Sequence, residues 1–290
     1  MRFVATLLAW LVTTVALATA VGSGWAQHTI VDRDGYADFA ASAARDPQLQ
    51  QAMASLLTTE IVSFAADEGY GDLNPVLVGS VTTLYTQNAG FPGQFAQANR
   101  IAHGFLFSDA VQRDQQSGDR WLVDIAPMLT DPSLRESLGN LNLEVPETLN
   151  VPVTVPESSG LRPGQLRPLA KWGPFVSVGA AVLTAVFALL TLAAARSRGK
   201  AIGALGVSAL VVGAAGWAGI EVGRTYVDDA LAKTQGDVRA LAETMFGHAV
   251  GSLHQWLNLT LAAGAALVLL GVFVAMFGGM RKRTVSEPVR

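Results

Sequence analysis

Four stretches of this chain carry no Asp, Glu, Lys or Arg, at residues 3–31, 173–195, 201–220 and 253–280. Crossing a hydrocarbon layer roughly 30 Å thick takes about 20 helical residues at about 1.5 Å each, and every one of these runs reaches that length. A single such helix could form the core of a soluble protein. Four of them in 290 residues, with 50% hydrophobic and only 15% charged residues, place the chain in lipid. The expected fold class is an all-α membrane protein: four transmembrane helices with a mainly helical extracytoplasmic domain that contains a short β-hairpin or extended segment.

The cations order these spans. Arg2 precedes the first, Arg196, Arg198 and Lys200 separate the second from the third, and Arg281, Lys282 and Arg283 follow the fourth. Positive charge stays on the cytoplasmic side, so both termini are expected there. The resulting division is 1–25 signal-anchor helix, 26–172 extracytoplasmic domain, 173–195 second span, 196–200 cytoplasmic loop and 201–220 third span. Residues 221–253 form an extracytoplasmic amphipathic helix, 254–280 the fourth span and 281–290 a cytoplasmic tail. Trp25, Trp172, Trp217 and Trp256 then all fall at outer span ends, as an aromatic belt requires; Trp10 and Trp121 lie elsewhere. Ala18-Thr19-Ala20 and Gly24-Trp25-Ala26 resemble signal-peptidase sites, but the apolar run is longer than a signal peptide needs, which favours an uncleaved anchor.

Composition excludes several function classes. There is no cysteine, hence no disulfide, thiolate ligand or cysteine nucleophile. Residues 26–172 hold 17 acidic and nine basic side chains, a net charge of −8, which argues against nucleic acid as a partner. The four histidines, His28, His103, His248 and His254, show no metal-ligand spacing, and no cofactor or metal is expected. His254, beside Trp256, reads as interfacial. No nucleophile elbow, phosphate-binding loop or dinucleotide fingerprint occurs in any register.

Local signals outline the outer domain. Asp46-Pro47 starts a helix, with Leu49, Met53, Leu56, Leu57, Ile61 and Phe64 as its apolar stripe. Asn74-Pro75 opens another, carrying Val78, Val81 and Tyr85, and Asp131-Pro132-Ser133-Leu134 repeats the first device. A helix over residues 94–107 buries Phe95, Ile101 and Phe105. Alternation in Leu141, Leu143, Val145 and then Val151, Val153, Val155 suggests a short hairpin, its prolines restricting it to edge or extended strands. From Tyr226 to His254 apolar and acidic residues interleave as an amphipathic helix, whose acidic face points to docking on the outer domain rather than on lipid.

Asn99, Arg100 and His103 form the one polar cluster on an apolar helix, with Asn99 and His103 on one face. Arg100 is expected to pair with an acid such as Asp109 or Asp124. Satisfying buried polar groups between helices is the ordinary role of such a cluster; a ligand site is the sharper alternative. The spans hold no mid-membrane ionisable residue, which disfavours a stand-alone transporter. Gly203, Gly206, Gly213, Gly216 and Gly219 line the third span and suit close helix approach or self-association.

Asp46-Pro47-Gln48-Leu49, Asn99-Arg100-Ile101-Ala102-His103, Val123-Asp124-Ile125-Ala126-Pro127-Met128-Leu129 and Gln165-Leu166-Arg167-Pro168-Leu169 occur in that order. In this combination the chain resembles a family of uncharacterised integral membrane proteins from actinobacteria, although its stretch between Met128 and Pro146 is short for that family. The resemblance implies a plasma-membrane protein with an outward domain and carries no activity to any residue. The expected function is that of a non-enzymatic cell-envelope accessory or scaffold, in the lipid bilayer, whose outer domain binds a membrane or envelope protein. The alternatives are a membrane enzyme or lipid-handling factor using the Asn99 cluster, and an accessory subunit of a transporter.

Overall fold

The computed structural model of the chain describes residues 2–67, 73–107, 121–124, 150–153, 164–232 and 236–283. The helix expected at Asp131-Pro132 and the strand expected around Leu141, Leu143 and Val145 lie outside them. Two units emerge: one comprises Met1–Gln27, Trp172–Val227 and Val250–Arg290, the other His28–Lys171 and Asp228–Ala249.

The first unit is built from α1 (Arg2–Ala26), α6 (Arg167–Ala194), α7 (Arg198–Leu231) and α8 (Asp237–Arg283). All four are long and apolar enough to cross a membrane, so the chain is a multi-pass membrane protein. Helix α7 is the hub. A third of its most apolar window (33%) is buried inside the protein, against 11% for each of the others. Its glycines explain why. A Cβ added at Gly206 would lie 2.6 Å from the Gly264 carbonyl, and one at Gly199 would lie 2.7 Å from that of Gly271, so α7 and α8 run antiparallel with their backbones in contact. Gly199, Gly206 and Gly213 recur every seven residues, as do Leu257, Gly264 and Gly271 opposite them, which is the repeat of a left-handed pair. Gly206, Gly213 and Gly216 are thus used inside this chain, whereas Gly219 faces open space.

Polar groups join α1 to α7 in parallel. The Trp10 indole donates to the Ala204 carbonyl at 2.8 Å, and the Thr14 hydroxyl donates to that of Ser208 at 2.8 Å. In hydrocarbon, such bonds satisfy groups that have no water to turn to.

The second unit contains α2 (Arg33–Ala43), α3 (Pro47–Asp67), α4 (Pro75–Thr86), α5 (Phe91–Phe107) and the first turns of α8. The start devices act as anticipated: Asp46 Oδ1 accepts from the Gln48 amide at 2.8 Å, and Asn74 Oδ1 from the Val76 amide at 2.9 Å. Small residues Ala40, Ala43 and Ala44 let α2 close on Leu49, Phe91 and Phe95, and Met53, Tyr85, Leu241 and Met245 surround that core. Helix α5 starts at Phe91 rather than at residue 94, because Asn88 and Gly90 make the turn before it. The sequence pattern overlooked Phe91, among the largest fully buried side chains.

Two expectations are corrected, and a described pairing joins them. Ile61 and Phe64 are exposed, since the second half of α3 buries the neighbouring Ala65 instead, and the cluster around Phe91 takes only Leu49 and Met53 from this helix. The amphipathic stretch Tyr226–His254 belongs to two helices, α7 ending at Leu231 and α8 starting at Asp237, with Gly236 at φ 67° between them. Residues 150–153 are a strand, β2 (Asn150–Val153), and its described partner is β1 (Trp121–Asp124), antiparallel with Trp121 opposite Val153.

Candidate functional site

The Asn99 cluster forms where α5 meets the segment after α1. That segment, Gln27–Val31, is a turn of π-helix, and its backbone carbonyls are hydrogen-bond acceptors. His103 Nε2 lies 3.0 Å from one of them, that of Ile30, and the ring stacks on Phe107 at 4.1 Å with 11° between planes. Tyr36 covers the other side at 5.3 Å. Burial pushes the His103 pKa down, with the Ile30 and Val31 carbonyls opposing, so the ring is a neutral donor at pH 7. Burial likewise raises the Tyr36 phenol.

Asn99 donates to the Phe95 carbonyl at 2.9 Å and accepts a long 3.4 Å bond from the Tyr36 hydroxyl. Arg100 pairs with Asp34 of α2 at 3.2 Å, and with Gln97 on its own helix at 2.9 Å. The expected acid was Asp109 or Asp124. Asp34 takes that place because α2 lies along α5, a relation between residues 66 positions apart that spacing does not reveal. Asp34 is 82% exposed, so the pair contributes about 0–1 kcal/mol.

Chemically, the cluster ties the π-turn and α2 to α5. Each of its three residues has a protein partner, and a neutral, sandwiched imidazole bonded to a backbone carbonyl is poorly placed to exchange protons with a ligand. Among the described residues no group of three His, Asp or Glu side chains converges as a metal site.

Two further places were not legible beforehand. Between α3 and α4 runs a groove of about 570 Å³, lined by uncharged groups including Gln50, Gln51, Ser55, Thr58, Thr59 and Thr83. Its threonine hydroxyls donate to their own helices, Thr58 to Ala54 and Thr83 to Gly79, both at 2.7 Å. The other is a contact between two titratable side chains, His248 Nε2 to Asp46 Oδ2 at 2.9 Å. In the sequence Asp46 reads only as a helix cap and His248 carries no motif, and 202 positions separate them. In the membrane unit His254 stacks on Trp217 at 3.7 Å.

No family model, curated protein or solved structure matches the chain.

Proposed function

We propose that this is a plasma-membrane protein with cytoplasmic termini, whose acidic helical unit lies outside the cytoplasm and binds a cell-envelope partner without catalysing a reaction. The observation that carries this reading is the bare apolar surface of α4. Val76, Leu77 and Leu84 are 74%, 67% and 71% exposed, Phe64 of α3 is 59% exposed, and residues 73–99 contain no charge at all. Contiguous apolar surface of this kind on a folded unit marks an interaction site. The orientation rests on the Arg196, Arg198, Lys200 and Arg281, Lys282, Arg283 clusters. The parallel course of α1 and α7, and the antiparallel course of α7 and α8, fit four alternating crossings. On this reading the chain would stand beside the uncharacterised actinobacterial integral membrane proteins that its sequence resembles.

Photo-crosslinking residues at Leu77 and Leu84, irradiated in living cells, test the binding surface. Adducts to one envelope protein at both positions, absent with the probe at Asp38 of α2, are the expected result. No adduct at either position, or reproducible turnover by the purified protein, would overturn the reading. The orientation has its own test, because any introduced cysteine is unique in this chain. A membrane-impermeant maleimide should label Asp229→Cys in intact cells and leave Ser197→Cys unlabelled until the membrane is opened.

A further inference from the structure

Asp46 uses both carboxylate oxygens: Oδ1 caps α3 through the Gln48 amide at 2.8 Å, and Oδ2 meets His248 Nε2 at 2.9 Å. The two side chains are 28% and 33% exposed, so protons reach both. Leu241, Met245 and His248 share one face of α8 at spacings of four and three, and the first two cover the cluster of Leu49, Phe91 and Phe95. The Asp46–His248 contact therefore closes the seam along which the first turns of α8 lie on the core.

Few other charges face it. On α8, Arg239 pairs with Glu243 at 2.6 Å, and Asp237 accepts a 3.4 Å bond from Thr59. Arg45 precedes Asp46 and is exposed; α3 has no ionisable group before Glu60, and α4 has only Tyr85, whose hydroxyl donates to Gln94 at 2.6 Å. On α5, Arg100 is paired with Asp34 and His103 with the Ile30 carbonyl. The helix is also easy to loosen here. Gly247 and Gly251 bracket His248, nothing lies within 4 Å of a Cβ at either, and glycine without a reason of close approach is a poor helix former.

We propose that His248 and Asp46 form a proton-operated clasp holding the first turns of α8 over the apolar core, tight when His248 is protonated and looser when it is neutral. Histidine is the side chain whose ordinary charge change falls between pH 5 and 8. Asp46 stays ionised throughout that range, because the Gln48 amide and then His248 hold its carboxyl below the usual value. Either form of the ring can donate to the carboxylate, but protonation sets a full positive charge 2.9 Å from it, so the clasp tightens on mild acidification.

Hydrogen exchange of the full chain in phosphatidylcholine nanodiscs, corrected for intrinsic rates, tests this. Amides of residues 238–248 should be protected about three- to tenfold more at pH 5.5 than at pH 7.5, the scale of one partly exposed charge pair. Asp46→Asn keeps the cap, since Asn caps as well as Asp, and removes the charge. It should flatten the pH dependence, as should His248→Gln, while protection of α2 to α5 is unchanged. Equal protection at both pH values in the native chain, or a pH dependence that survives in both variants, would overturn the clasp.

Discussion

Gly206 of α7 and Gly264 of α8 meet backbone to backbone: a Cβ on Gly206 would stand 2.6 Å from the Gly264 carbonyl oxygen, and one on Gly264 would stand 2.9 Å from that of Gly206. Replacing Gly206 by Val should force the helices apart and cost about 1–3 kcal/mol or more. Gly219→Ala meets nothing within 4 Å and should be neutral or stabilising by up to about 1 kcal/mol. Thermal unfolding in detergent compares the two; equal effects would rule out the close α7–α8 contact.

Trp10 is bonded across helices to the Ala204 carbonyl. Trp10→Phe keeps the apolar ring and removes the donor, so a loss of about 0.6–1.7 kcal/mol is expected, the range found for polar contacts between membrane helices. Unfolding by SDS titration in mixed micelles measures it, with exposed Leu8→Phe as the neutral reference.

Gly35 is needed for a steric reason. A side chain there would run into the His28 carbonyl, and the neighbouring Ile30 carbonyl is already held by His103. Gly35→Ala should cost upward of about 3 kcal/mol or abolish folded yield. Gly93→Ala, with nothing within 4 Å, should leave the melting temperature near that of the native chain.

His103 sets a pH dependence of stability. Its folded pKa lies below the ordinary 6.5, so the unfolded chain takes up the proton first. The stabilisation is complete above pH 6.5 and declines as pH falls from there through the lower folded value. His103→Phe should flatten the profile in that window. It should also lower stability at pH 7.5 by about 1–3 kcal/mol, because the Ile30 carbonyl is left without its donor. Chemical unfolding at pH 7.5 and 5 reads both effects.

Much of the helical framework was legible in advance. Four apolar runs became four long helices, and Asp46-Pro47 and Asn74-Pro75 opened helices with their side chains on the expected amides. The candidate site was legible only in part. Asn99 and His103 were placed on one face of α5, but the π-turn that His103 reads and the Asp34 that Arg100 pairs with lie on other elements. The stripe on α3 misled at Ile61 and Phe64, because helical period marks an apolar face without saying which side of it a neighbour covers, and Ala65 is the residue buried there.

By itself the sequence determined what local free energies decide: which runs prefer hydrocarbon to water, and which residues satisfy the free amides at a helix start. Those choices are made within about one helical turn or one bilayer crossing. Tertiary structure decided the pairings: Gly206 with Gly264, Trp10 with Ala204, Asp46 with His248, and the bare side of α4. Such partners are selected when elements tens to hundreds of residues apart close on one another, and packing complementarity between surfaces leaves no period or motif along the chain.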